Sequence, residues 1–193
     1  MTTTWTSIRI AQVVGLGGAA WLSGNIASLS LITIPTLLNS HTQSQSQTPN
    51  KNTSPSPLTP QTLAHQWRQT YALGKSQNPP ISLAIASSFA YLALKSRTAA
   101  ASPKNLAILY SLAAVLTVSI APFTALVMSR TNEELIEMSE GRGFSDGNGN
   151  GKENVERNGK EVRGLLERWG KLNGVRSVLP LLGGVVGVVA VLA

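Results

Sequence analysis

Trp169, Asn173 and Arg176 stand at i, i+4 and i+7, a spacing that on a helix gathers an indole, an amide and a guanidinium on one face. The amide and the guanidinium are hydrogen-bond donors able to hold an oxyanion; the same pair serves equally as interfacial anchor and helix cap. Trp67 and Tyr71 continue an i, i+4 series that begins at Leu63, and an indole and a phenol so placed suit a headgroup boundary. His65 falls off that face, on the solvated side. His41 follows the first apolar run, where it could reach the mouth of a helix bundle or remain in a loop. Asn132 lies one turn beyond Met128 and either satisfies carbonyls loosened by Pro122 or faces a ligand.

Other chemistries are excluded by what is missing. The chain has no cysteine and only two histidines, and no acid interrupts its long apolar runs, so thiolate, iron–sulfur and transition-metal sites are not expected. Gly15-Leu16-Gly17-Gly18-Ala19-Ala20 matches the dinucleotide fingerprint in form. It has no acidic residue downstream before Glu133 to hold a ribose, and it lies inside an apolar run. Asp146-Gly147-Asn148-Gly149-Asn150-Gly151 opens like a calcium loop, yet its twelfth position is Arg157 in place of the bidentate carboxylate. Gly151-Lys152 is followed by Glu153, which excludes a phosphate loop. The net charge of +7 is scattered, and nine Lys/Arg after the third apolar run are matched by nine acids. Basic residues flanking apolar runs anchor a chain at a membrane interface, and no nucleic-acid face is expected.

The elements that must position these residues follow from where charge is absent. Four stretches of membrane-spanning length, at 10–38, 78–94, 105–129 and 177–193, carry no Asp, Glu, Lys or Arg. They lack the two-residue alternation of a barrel, and in hydrocarbon only helices or closed barrels satisfy the backbone. The expected fold is all-α: one membrane domain over 1–193, a bundle of four transmembrane helices with short interfacial helices, in contact with lipid. An even number of crossings puts both termini on one side. Loops one and three hold twelve Lys/Arg against four elsewhere, which favours their facing the cytosol, with Asn52-Thr53-Ser54 as a glycosylation sequon that would report the opposite.

Within this frame, Ala20, Gly24 and Ser28 read as a small-residue packing face of span one, and Gly183 and Gly187 as a GxxxG face of span four. Residues 39–59 and 141–154 read as flexible loops. Thr59-Pro60 reads as an N-cap and first helical residue, with a short interfacial helix running to Gly74 and a turn at Asn78-Pro79-Pro80. Pro122 predicts a kink, Thr131 and Glu134 a capping box, and Val162, Leu165, Leu166, Trp169 and Leu172 the apolar face of a helix that feeds into span four.

Four motifs together resemble a known family. They are Gly24-Asn25 with Ser30 and Pro35; Trp67-x-x-x-Tyr71-x-x-Gly74; Pro122-Phe123-Thr124-x-x-x-Met128-x-x-Thr131-Asn132-x-x-Leu135; and Trp169-x-x-Leu172-Asn173-x-x-Arg176. In order and spacing they are similar to the DUF1772 or anthrone oxygenase family over nearly the whole chain, with the polar stretch before Thr59 and the glycine tract after Gly141 as insertions. The resemblance implies a fungal-type multi-pass membrane protein, in an endomembrane such as the endoplasmic reticulum. Its expected reaction oxidises an anthrone to an anthraquinone with dioxygen in polyketide metabolism, using neither flavin nor metal. It also implies roles: Asn173 and Arg176 as oxyanion donors, Tyr71 or His65 as base, and Trp67, Asn132, Trp169 and Asn25 around a flat substrate. A non-catalytic membrane protein that uses the same polar face to hold its bundle or contact a partner is the other reading.

Overall fold

A computed structural model describes residues 2–46, 59–98, 103–144 and 151–193. Among them every regular element is a helix, as expected. The order is α1 (Thr2–Ser28), a π-helical turn (Leu29–Thr33), α2 (Ile34–Ser46), α3 (Pro60–Thr98), α4 (Lys104–Val118), α5 (Ile120–Val127), α6 (Ser129–Ser139) and α7 (Gly151–Leu192). Three stretches are long and apolar enough to cross a membrane: Trp5–Thr42, Asn105–Val127 and Glu153–Leu192. This is an integral membrane protein. Large apolar side chains point outward along these stretches, with Val13, Leu31 and Leu126 each more than two-thirds exposed, as lipid contact requires.

The helix ends show which local signals acted. Thr59 caps α3, its Oγ1 accepting the Thr62 N–H at 3.1 Å, with Pro60 at the first helical position. The expected stop at Asn78-Pro79-Pro80 does not occur, and α3 runs through it to Thr98. Proline's φ is helical, and the two missing N–H groups cost only two bonds, those to carbonyls one turn back. Ser82 Oγ donates to the Pro79 carbonyl at 2.9 Å, and both Asn78 and Ser82 are buried. Pro122 acts as expected: α4 ends at Val118, four residues before it, where the proline ring meets a carbonyl it cannot bond.

The capping box at Thr131 is not formed. Met128 takes the N-cap position of α6, and Thr131 lies inside the helix, while Glu134 pairs with Arg130 at 3.0 Å. Helix α6 ends before Gly141, whose φ of 77° lies in the left-handed region. In span one, helix continues to Ser46 where a loop from residue 39 is expected, and α7 begins at Gly151, inside the second expected loop. Residues 47–58 and 145–150 of these two loops lie outside the described residues, among them the sequon at Asn52 and the opening of the calcium-like sequence at Asp146.

The chain forms two compact units. The first comprises Met1–Ala27, Gly74–Leu126 and Gly174–Ala193. Its core gathers Ala19, Leu22, Ile26, Ile85, Phe89, Tyr110 and Ala113. Small residues permit this packing: a methyl added at Gly18 would lie 2.7 Å from Ile85 Cγ1, and one at Gly187 would lie 2.7 Å from Phe89 and 2.9 Å from Leu16. A methyl added at Gly183 would lie 2.6 Å from Thr117 Oγ1 and 2.9 Å from the Ala113 carbonyl, so the GxxxG face is a packing face. The expected face of Ala20, Gly24 and Ser28 is not: Ala20 and Gly24 are exposed, and a Cβ at Gly24 would meet nothing within 4 Å. The second unit comprises Ser28–Leu73 and Val127–Asn173, around buried Leu63, Trp67, Leu135, Val162, Leu166 and Trp169.

Candidate functional site

The second unit concentrates the aromatic and amide groups. On α3, Trp67 and Tyr71 stack with ring centroids 5.1 Å apart and planes 12° from parallel, as i, i+4 spacing allows. On α7, Trp169 meets Trp67 edge-on at 5.7 Å, with an 84° angle between planes. Both indoles are buried. The Trp169 Nε1–H donates to Asn132 Oδ1 at 2.9 Å, so Asn132 on α6 fixes that ring. Asn173, fully buried, donates from Nδ2 to Ser30 Oγ at 3.0 Å. Ser30 belongs to the π-helical turn, just before Pro35. Proline cannot donate to a carbonyl one turn back, and the wider turn there re-aims the chain at the point where Asn173 is held.

One donor of this group is unused. Trp67 Nε1 is buried and has no hydrogen-bond partner among the described residues. Buried indole N–H groups are almost always satisfied, because leaving one unmade costs about 1–3 kcal/mol. The position therefore suits a ligand oxygen.

His65, two residues from Trp67, points away from the aromatic pair, as helical geometry dictates. It is exposed and lines an open pocket of about 210 Å³ with Gln61, Thr62 and Ser139. Ser139 accepts from Arg68 at 3.2 Å, and Arg68 also pairs with Glu140 at 2.9 Å. His41, expected in a loop or at a bundle mouth, is buried on α2.

The first unit holds the remaining polar residues named from sequence. Arg176 is buried, 8% exposed, and its Nη1 donates to Thr124 Oγ1 on α5 at 3.1 Å. The segments of this unit contain no Asp or Glu, and Arg176 is held there by polar oxygen rather than by a carboxylate of the same unit. Asn25 donates to Asn78 Oδ1 at 3.1 Å, and Ser23 to the Ser177 carbonyl at 2.9 Å. Trp169, Asn173 and Arg176 are thus all buried, as their shared face demands, while Arg176 has its partner in a different unit from the other two. The sequence motifs contain Ser30 and Thr124 but assign neither as a partner of Asn173 or Arg176, and the π-helical turn was not anticipated, Pro35 being its available signal. Among the described residues no cluster of three or more His, Asp or Glu could hold a metal ion.

Comparison with known proteins bears on what these clusters do. The anthrone oxygenase family model matches residues 67–186. The chain is 32% identical to anthrone oxygenase encC of Aspergillus fumigatus over 185 residues, covering 95% of this chain and 93% of that protein. It is likewise 32% identical to anthrone oxygenase AgnL2 of Paecilomyces divaricatus, covering 94% of each. A protein of Dothistroma septosporum described as monooxygenase hypC is 29% identical, covering 93% of this chain and 81% of the relative. No solved structure matches.

Proposed function

This chain belongs to the anthrone oxygenase family, and we propose that it is a membrane-bound, cofactor-independent oxygenase that converts an anthrone to an anthraquinone with dioxygen in polyketide metabolism. An anthrone is a flat carbon acid. Loss of a ring CH₂ proton gives an electron-rich enolate; its carbon bonds to one oxygen atom of O₂, and protonation yields a hydroperoxide. That intermediate loses water across its O–O bond, leaving a new carbonyl. One oxygen atom ends in the quinone and the other in water, so no external reductant is consumed. The substrate itself supplies the electrons, and the protein need only bind, orient and assist proton movement.

The observation that carries this reading is the Trp67 indole N–H, buried and without a partner among the described residues, in an aromatic wall that Tyr71 and Trp169 complete. Such a wall accepts a flat apolar molecule, and the spare donor suits its carbonyl or phenol oxygen. In this proposal Asn132 and Asn173 hold the wall and offer amides to the substrate, with Asn173 the donor to developing negative charge. The base is Tyr71, which lies in the wall, or His65, which lines the open pocket. The membrane arrangement proposed with it is four crossings, at 10–38, 78–94, 105–129 and 177–193, in an endomembrane such as the endoplasmic reticulum.

The test is oxygen uptake by purified protein in lipid nanodiscs supplied with emodin anthrone. Uptake above the spontaneous rate, unchanged by chelators and by flavin removal, is the expected result; no excess over spontaneous oxidation across a panel of anthrones overturns the reading. The second reading, a non-catalytic membrane protein, is favoured by one specific feature: Asn132 and Asn173 each already make a side-chain tie that holds the structure.

A further inference from the structure

The first turn of α6 holds a second unused donor. Thr131 is fully buried, and its Oγ1 has no hydrogen-bond partner among the described residues. This is unusual for a helical threonine, which ordinarily donates back to a carbonyl one turn earlier. Thr42, Thr70, Thr98, Thr117 and Thr124 all do so here, at 2.7–3.3 Å. Thr131 stands at the third helical position, and side chains in a helix lean toward its N-terminus, so the hydroxyl lies beside the opening turn. That turn is uncapped by a side chain, because Met128 occupies the N-cap. The first N–H groups of a helix have no partner within it and carry the positive end of its dipole. An 11-residue helix thus presents its N-terminus together with a buried hydroxyl, next in sequence to the Asn132 that fixes Trp169.

We infer that Thr131 Oγ and the N-terminal turn of α6 form a binding site for an anionic aromatic oxygen, the enolate or phenolate oxygen of the substrate. This rests on the oxygenase reading and adds to it a residue and a charge state. A hydroxyl donor and aligned N–H dipoles favour the ionised oxygen over the neutral one, which lowers the pKa of the bound acid and lessens what any protein base must do.

The experiment uses 1,8-dihydroxyanthraquinone, which dioxygen does not consume and whose phenol changes colour on ionising, bound to the full-length protein in nanodiscs. Thr131→Val keeps the shape and removes the hydroxyl, and losing an unsatisfied polar group does not oppose folding; Thr131→Ser keeps the hydroxyl. The bound probe is expected to ionise about one pH unit lower in wild type and Thr131→Ser than in Thr131→Val. With emodin anthrone, kcat is expected to fall at least about tenfold in Thr131→Val with KM little changed, and to be largely kept in Thr131→Ser. Equal probe titrations in wild type and Thr131→Val overturn the inference whatever the oxygen uptake, as does a probe that fails to bind. Wild type that ionises the probe as expected but oxidises no anthrone leaves this anion site standing and removes the oxygenase reading.

Discussion

Asn132 accepts the hydrogen bond of the Trp169 indole, and removing it strands a buried N–H. Asn132→Ala is therefore expected to cost about 1–3 kcal/mol, read as a lowered thermal midpoint in detergent, with Trp169→Phe in the same background recovering part of the loss. Asn173→Ala is expected to lower anthrone turnover at least about tenfold, measured as oxygen uptake with emodin anthrone, by removing a donor to developing charge. In the first unit, Arg176→Ala is expected to lower the thermal midpoint in detergent and Arg176→Lys to leave it lowered, since a flexible ammonium does not reproduce the planar fork that reaches Thr124. At this scale helical spacing told which residues share a face and not which residues they meet. Helical spacing places Trp169, Asn173 and Arg176 on one face, but nothing in it tells Ser30 or Thr124 that they lie opposite.

Among the elements, α1 shows how small residues mislead. Both Gly18 and Gly24 sit in membrane-spanning helix, yet only Gly18 packs against a neighbour, Ile85. Gly18→Leu is expected to destabilise the first unit by about 1–3 kcal/mol through overpacking, whereas Gly24→Leu should leave the thermal midpoint in detergent unchanged. Spacing alone did not separate the two, because a glycine facing lipid meets no penalty that would remove it. Proline gave mixed signals for a related reason. Pro122 ends α4 at the carbonyl its ring meets, while Pro79 and Pro80 leave α3 intact. Whether a proline breaks or merely weakens a helix depends on what holds its flanks, and Asn78 and Ser82 are held in a packed interior.

For the whole molecule, the crossing count is the quantity that experiment reaches most directly. The second half of α3 carries Ser87, Ser88 and Tyr91 and is bounded by Asn78 and Lys95, so it is less apolar than the three clear spanning stretches. If it crosses as proposed, glycosylation reporters fused to the two termini will be modified alike; reporters modified differently would require three crossings. The protein should in either case resist extraction from membranes by alkaline carbonate.

Charge-free length without two-residue alternation determined by itself that this chain is an all-helical integral membrane protein, since hydrocarbon admits only helices or closed barrels and a barrel strand must alternate. The order of four short motifs sufficed for the family. Cap chemistry at Thr59 and the clash at Pro122 were legible because they are local, settled within one turn of helix. The capping box at Thr131 failed where tertiary structure intervened: the N-cap of α6 falls three residues before the local signal, at Met128, and the hydroxyl that should have capped it is left buried with no partner among the described residues. That spare donor, like the one on Trp67, is a property of what surrounds the residue, and only the packed chain decides it.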